Sequence, residues 1–441
     1  MLFNSLQYLW FLPVVFSLYY IIPHKFRWVL LLLASYYFYG CWKVEYLLLI
    51  IFSTIIDYYS AIEIAKSVSR NRKKLFLGLS LFVNLGMLVG FKYLNFISTN
   101  LNDLFNFFNS NTEIPYYNII LPVGISFYTF QTLSYTIDVY NGKMKPQKHF
   151  GKFAVFVSFF PQLVAGPIER AVNLVPQFNK KITFNYYNAV SGLRRILWGL
   201  FKKTVVADRS AIIVNYVYDS PGDHNGFTLL IASYLFAFQI YCDFSGYSDI
   251  AIGSARILGF NLMENFKTPY FSKSISEFWS RWHISLSTWF RDYVYIPLGG
   301  SVASKARILL NIMIVFVLSG IWHGANWTFV CWGALHGALL ILERLTGLDS
   351  RKKTNLSFWK NAFRVIIYFN IVVLGWIYFR SNSVSDAHLI ISEIFTFQNW
   401  GFDLSHLNKT TSNLSLNKFI TTIFFCGFLL AAEYIIYHTN Y

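Results

Sequence analysis

The sequence predicts an all-α polytopic membrane protein, and three observations carry that reading. Hydrophobic residues make up 55% of the 441-residue chain and charged residues only 13%, about half the share of an ordinary soluble domain. Apolar runs such as "LLIASYLFAF", "ILLNIMIVFVLSG" and "FITTIFFCGFLLAAEYIIY" recur along its length, and a spanning helix needs about 20 mostly apolar residues. Between them lie short loops rich in lysine and arginine, the mark of cytoplasmic connections.

Taken in order, spans are expected at 7–23, 27–43, 45–65, 74–97, 119–139, 188–208, 227–255, 306–325, 327–345, 361–380 and 418–437, about eleven in all. The N-terminal "MLFNSLQYLWFLPVVFSLYY" has no basic leader and no small-residue cleavage site, so it reads as a first span rather than a signal peptide. Apolar pieces at 150–165 and 284–298 are too short to cross and suit re-entrant or interfacial elements. The basic loops "HKFR" (24–27), "KSVSRNRKK" (66–74), "NGKMKPQKHFGK" (141–152) and "DSRKK" (349–353) are expected in the cytoplasm. The loops at 98–113 and from 381 carry few cations and would face outward. No internal repeat is visible, which weighs against an inverted-repeat transporter.

The net charge of +16 follows from the positive-inside rule, and no nucleic-acid motif accompanies it. Cys41, Cys242, Cys331 and Cys426 are far apart, without metal-ligand spacing or a disulfide pattern. An aromatic share of 20% exceeds what interfacial belts require. Codon bias explains it as well as a lined path does.

Ionisable groups at membrane depth are costly and mark function unless they pair structurally. "FYTFQTLSYTIDVY" places Gln131 and Asp138 in an apolar setting, and "QIYCDFSGYSDIAIGSARILGF" does so for Asp243, Asp249 and Arg256. Asp249 and Arg256 are about two turns apart and share a helix face. For these residues, pairing that holds helices in register competes with a role in a site. In "FFPQLVAGPIER", 159–170, Gly166-Pro167 stops an apolar segment that Glu169 and Arg170 close. Non-helical backbone at that depth must be buried by protein or line a cavity.

"FWSRWHISLSTWFRDYVYIPLGG", 278–300, predicts an interfacial amphipathic helix. Phe278, Trp282, Leu286, Trp289 and Tyr293 fall on one face, with Arg281, Ser285, Thr288 and Asp292 beside them. His283 stands at the border of the apolar arc. "SGIWHGANW", 319–327, places His323 at the end of an apolar run. A neutral imidazole can take a proton from a hydroxyl and return it. Gly320 and Gly324 would leave room for a substrate, and Asn326 or Trp322 would face a developing oxyanion. A base, a donor and space are the minimum for acyl transfer, although a lone histidine on an apolar helix is usually a satisfied core residue.

These two stretches, with "FFPQLVAGPIER", "DFSGYSDIAIGSARILGF" and "FKKTVVADR", closely resemble the membrane-bound O-acyltransferase (MBOAT) family. Within it they resemble the alginate O-acetyltransferase branch, which includes peptidoglycan O-acetylating members. The likeness is strongest over roughly residues 115 to 345 of what it implies is a single integral-membrane domain, 1–441. It implies a ring of spanning helices around a thin catalytic centre. It makes His323, in the "WHG" motif, the catalytic residue, and His283, in "RWHIS", the second family histidine.

The resemblance further implies acetyl-CoA as donor, no metal, and a polysaccharide acceptor outside the cytoplasm. It implies a separate SGNH-like transferase as partner, and residence in a bacterial inner membrane. Lys267, Lys273, Arg281 and Arg291 are candidates, from charge alone, for binding the donor phosphates; ordinary loop charge explains them equally. Two alternatives stay open. One is D-alanyl transfer to teichoic acid from a carrier-protein thioester. The other is a transporter or channel with carboxylates as ion sites.

Overall fold

The computed structural model describes residues 1–110, 112–348, 357–396 and 416–439, and no β-strand occurs among them. The basic stretch at 349–353 lies outside the described residues. Seven helices among those described are long and apolar enough to cross a membrane: Val44–Lys66, Arg70–Phe107, Gly226–Ile257, Lys305–His323, Trp327–Thr346, Phe358–Arg380 and Leu416–Thr439. Each overlaps an expected span. The chain is therefore a multi-pass helical membrane protein.

The expected spans at 7–23, 27–43 and 119–139 also fold as helices, but shorter ones, while 188–208 lies within a continuous helical stretch over 186–219. Residues 112–124 are not helical, and the helix of the 119–139 span begins only at Ile125. Gly124 is left-handed, with φ +77°, and a Cβ on it would meet the Leu163 carbonyl oxygen at 2.6 Å. Glycine alone fits both demands.

The described residues form two compact units. The first comprises Met1–Leu197 and Ser248–Met263. It holds α1 (Leu6–Ile21), α2 (Arg27–Gly40), α3 (Leu47–Lys66), α4 (Arg70–Leu88), α5 (Leu94–Phe107), α6 (Ile125–Tyr140), α7 (Phe150–Ser158), α8 (Phe160–Leu163), α9 (Ala171–Leu174) and most of α10 (Tyr186–Leu200). A polar cluster ties α3 to α4. The Asp57 carboxylate is fully buried and accepts from Asn84 Nδ2 at 2.9 and 3.0 Å, with Ser80 and Ser53 hydroxyls beside it. Hydrogen bonds between spanning helices are part of what holds them together, because lipid is as apolar as the side chains. Every residue from Phe153 to Leu163 is buried, so the broken apolar run α7–α8 is enclosed by protein.

The second unit comprises Trp198–Tyr247 and the described residues from Glu264 onward. It holds α11 (Asp208–Asp219), residues 226–247 of α12 (Gly226–Ile257), α13 (Ile275–Arg281), α14 (Ile284–Phe290), α15 (Lys305–His323), α16 (Trp327–Thr346), α17 (Phe358–Arg380), α18 (Val384–Thr396) and α19 (Leu416–Thr439). Its core is strongly aromatic, with Tyr270, Phe278, Trp282, Trp332 and Trp376 all buried together. Helices α15 and α16 form a close hairpin. A Cβ on Gly320 would meet the Phe329 carbonyl oxygen at 2.2 Å, and one on Gly333 would meet that of Phe316 at 2.3 Å. Small residues at both crossings let the backbones touch.

The expected continuous helix over 278–300 is corrected. The segment breaks at Trp282–His283 into α13 and α14, and His283 is left-handed, with φ +43°. Of the expected polar face, Arg281, Thr288 and Asp292 are partly exposed, but Ser285 is not. Ser285 is as buried as Phe278, Trp282, Leu286 and Trp289, so this part of the segment packs inside the unit. The period of 3.6 was present on both sides of the break, but a local backbone reversal has no periodic signature.

Candidate active site

His323 is the last residue of α15, immediately before the Gly324–Asn326 turn into α16. Its ring stands in a wall of aromatics, 4.9 Å from Trp322, 5.1 Å from Trp332 and 5.2 Å from Phe379, centroid to centroid. All three contacts are edge-on. His283 lies 6.4 Å away at 64°. Two histidines forty residues apart in sequence are thus brought to one place by the α15 end and the α13–α14 break.

His283 is held from the short loop that precedes α13. The Asn265 carbonyl receives the Ile284 N–H at 3.0 Å. Asn265 Oδ1 accepts from the Ser285 N–H at 3.2 Å and the Ser285 hydroxyl at 2.9 Å, and faces His283 Nδ1 at 3.2 Å. A backbone N–H can only donate, so the amide atom facing Ser285 is the oxygen. His283 therefore donates through Nδ1–H, and in the neutral ring Nε2 carries the lone pair. Burial first, and the neighbouring His323 second, hold the His283 imidazole well below its ordinary range, so it is neutral. Phe244 packs edge-on against the ring at 4.5 Å.

The break that carries His283 is anchored from α16. Glu343 is buried and accepts from the Ile275 N–H at 2.7 Å and the Ser276 N–H at 3.3 Å. Ser274 caps the same turn through the Glu277 N–H. Nothing in the linear sequence ties Asn265 or Glu343 to the histidines. Glu343, an acid near the end of an apolar span, could have been flagged by the cost of burying a charge. Asn265 gives no such signal.

Beside α13 and α14 lies a cavity of about 800 Å³. Its walls include Trp279, Ser287, Arg291, Ser319, Glu343 and Arg344. Ser319 is one turn before His323 on α15. The volume suits a drug-sized or cofactor-sized ligand.

The remaining predicted residues divide. Trp322 is buried against His323. Asn326 is committed elsewhere: its Oδ1 caps α16 by accepting the Thr328 N–H at 3.0 Å, and its Nδ2 donates to the Asn382 carbonyl at 2.9 Å. It is a helix cap with both amide atoms engaged. The room expected at Gly320 and Gly324 is also taken, since a Cβ on Gly324 would lie 2.0 Å from the Phe329 ring. Those glycines serve helix packing.

Of the four donor-binding candidates, Arg291 alone lines the cavity. Arg281 is paired with Glu277 at 2.9 Å and lies over the Tyr437 ring at 5.0 Å. Lys273 also lies over Tyr437, at 5.9 Å, while the Lys267 N–H donates to the Arg281 carbonyl. Arg344 lines the cavity and was not foreseen.

The buried polar candidates have structural partners. Asp249 pairs with Arg195 of α10 at 2.8 Å, not with Arg256, which stands in the last turn of α12. Asp243 pairs with Lys203, which also holds Asp208 at 2.9 Å. Gln131 donates to the Phe156 carbonyl at 2.6 Å. Asp138 lies 3.8 Å from Lys143. Glu169 accepts the Met263 N–H, and burial pushes its carboxyl above the ordinary range. Gln131, Asp138, Glu169, Asp249 and Arg256 all belong to the first unit. Among the described residues no cluster of three or more His, Cys, Asp or Glu is grouped as a metal site would be.

Comparison with known proteins bears directly on this site. The model of the membrane-bound O-acyltransferase family matches residues 147–385, which include both histidines. The chain is 40% identical over 411 residues to the Pseudomonas aeruginosa protein named "Probable alginate O-acetylase AlgI", covering 93% of this chain and 77% of that one. It is 35% identical to the peptidoglycan O-acetyltransferase of Helicobacter pylori, over 95% of this chain and 84% of the relative. The teichoic acid D-alanyltransferase of Bacillus subtilis is 29% identical over 62% of this chain and 72% of its own length.

Proposed function

The chain belongs to the membrane-bound O-acyltransferase family, and from that premise we propose that it transfers acetyl from cytoplasmic acetyl-CoA toward an extracytoplasmic polysaccharide. The observation that carries this reading is the pairing of His323 with His283, 6.4 Å apart, in an aromatic-walled site.

In the reaction, an acceptor hydroxyl gives its proton to the His323 imidazole while its oxygen attacks the thioester carbonyl. The tetrahedral intermediate collapses, the carbon–sulfur bond breaks, and the histidine returns the proton to the departing thiolate. Aromatic rings line one side of His323, and the residue stays partly exposed, so substrate can reach it. His283 is neutral and presents Nε2, so it accepts a hydrogen bond and orients its donor rather than supplying a second charge. Arg291 and Arg344 are suited to the donor phosphates at the rim of the cavity, with arginine's planar fork matching phosphate oxygens.

The acceptor is a cell-envelope polysaccharide of the alginate or peptidoglycan type, by likeness to the relatives that cover most of this chain. A separate SGNH-like transferase completes delivery. By likeness to those relatives, the chain is one integral domain of the bacterial inner membrane. Teichoic acid D-alanylation is the second reading; the lower identity and coverage of that relative place it behind.

The deciding experiment is release of free CoA from acetyl-CoA by the purified chain, wild type beside His323→Ala, with and without polysaccharide acceptor. Release confined to the wild type supports transfer through His323. Equal release in both removes His323 from the chemistry. Activity of the wild type only with a carrier-protein thioester would move the assignment to D-alanylation.

A further inference from the structure

The first unit contains a second cavity, of about 330 Å³, that the acyl-transfer reading does not use. Two basic loops far apart in sequence meet around it: His24, Lys25 and Arg27 before and at the start of α2, and His149 and Lys152 at the start of α7. The junction is tight. The Trp28 ring lies 4.8 Å from His149, and a Cβ on Gly151 would meet Trp28 at 2.1 Å.

The cavity is cationic and unneutralised. Lys25, Arg27 and Lys152 line it, no carboxylate does, and none of the three forms an ion pair among the described residues. Arg27 is positioned by backbone carbonyls, donating to Ile22 at 3.1 Å and Ile182 at 2.6 Å. It also lies over the rings of Tyr19 and Tyr20 at 4.7 and 5.6 Å. Lys152 Nζ is set by Asn179 Oδ1 at 2.6 Å. His24 Nδ1 is buried and has no hydrogen-bond partner among the described residues. Bringing three cations together without a counter-charge is costly unless an anion joins them.

We propose that this cavity binds the phosphate of an acidic phospholipid headgroup. The shared chemistry is a phosphodiester anion met by one guanidinium, two ammonium groups and an imidazole. The lipid, rather than soluble phosphate, is favoured by the other half of the lining. Tyr19, Trp28, Leu31, Phe178 and Phe260 are apolar or aromatic and suit the glycerol and the first carbons of an acyl chain. Both basic loops are of the kind that the positive-inside rule assigns to the cytoplasmic leaflet, where anionic lipids concentrate and basic pockets between helices capture their headgroups.

The test uses the full chain in detergent, titrated with short-chain phosphatidylglycerol or phosphatidylcholine, with bound lipid counted by native mass spectrometry. Phosphatidylglycerol is expected to bind in preference, and Lys25→Gln/Lys152→Gln to weaken it about thirtyfold, at about tenfold per 1.4 kcal/mol and about 1 kcal/mol for each cation removed. The control pair Lys305→Gln/Arg307→Gln, exposed at the start of α15, should bind as wild type does. Equal binding of the two lipids, or equal losses in both variants, overturns the site. Displacement by excess inorganic phosphate overturns the lipid assignment in favour of a soluble anion. Should the double variant fail to fold, Lys25→Gln alone, whose side chain is exposed, and the wild-type comparison still decide.

Discussion

Replacing Asn265 with alanine is expected to cripple turnover without touching either histidine. Asn265 is buried, and its Oδ1 receives three groups, at 3.2, 3.2 and 2.9 Å. Alanine removes the one acceptor that all three share. A buried donor left without a partner costs about 1–3 kcal/mol, and a satisfied bond contributes a net of about 1 kcal/mol. The Ser285 hydroxyl can rotate to another acceptor; the Ser285 N–H and His283 Nδ1–H are fixed by the backbone and the ring. The loss should therefore be about 2–5 kcal/mol. The left-handed turn at His283 stores about 1–3 kcal/mol of its own, and with Asn265 gone it relaxes and carries the ring away from His323.

Two readouts separate the effects. The melting temperature in detergent reports the lost bonds, and acetyl-transfer kinetics report the misplaced ring. A kcat lower by about a hundredfold corresponds to about 2.7 kcal/mol of transition-state stabilisation. KM for the donor should hold within about threefold, because Asn265 does not line the cavity. Asn265→Asp keeps the acceptor oxygens and should recover part of the rate. An alanine variant that melts early yet turns over normally would refute the positioning role. One that melts normally would refute the claim that these bonds hold the break.

Other outcomes follow from the same geometry. Gly320→Val forces a side chain into the Phe329 carbonyl at the α15–α16 crossing and should destabilise by about 1–3 kcal/mol or more, read as early melting and loss of monodisperse protein. Arg195→Ala strips the partly buried Asp249 of its cation and should cost up to about 3–5 kcal/mol, whereas Arg195→Met with Asp249→Leu should recover much of it; a single variant as stable as wild type would make the pair dispensable. Arg291→Gln with Arg344→Gln should raise KM for acetyl-CoA about tenfold with kcat nearly unchanged, as loss of uniform binding does; a fall in kcat alone would contradict a donor role. The raised carboxyl of Glu169 binds a proton more readily folded than unfolded. Its contribution is whole below the ordinary glutamate range, about 4.3, and is lost as pH rises toward neutrality. Glu169→Gln should flatten that part of the melting profile, and an unchanged slope would show that Glu169 does not carry it.

The sequence alone determined that this is a helical membrane protein, where most of its long spans run, and which two histidines to watch. Those properties are local: twenty apolar residues announce a span wherever they lie, and "WHG" and "RWHIS" can be read without knowing what surrounds them. Tertiary structure decided the rest. That His323 and His283 meet depends on a backbone reversal at one residue, imposed by Asn265 from the preceding loop and by Glu343 from another helix. That Asp249 takes Arg195 and not Arg256 as partner depends on which helix packs beside it. Gly320 and Gly324 read equally as space for a substrate or as a helix crossing until Phe329 is seen filling them. Periodicity encodes the direction a side chain faces along its own helix, but the group it meets there belongs to a distant part of the chain, and only packing brings the two together.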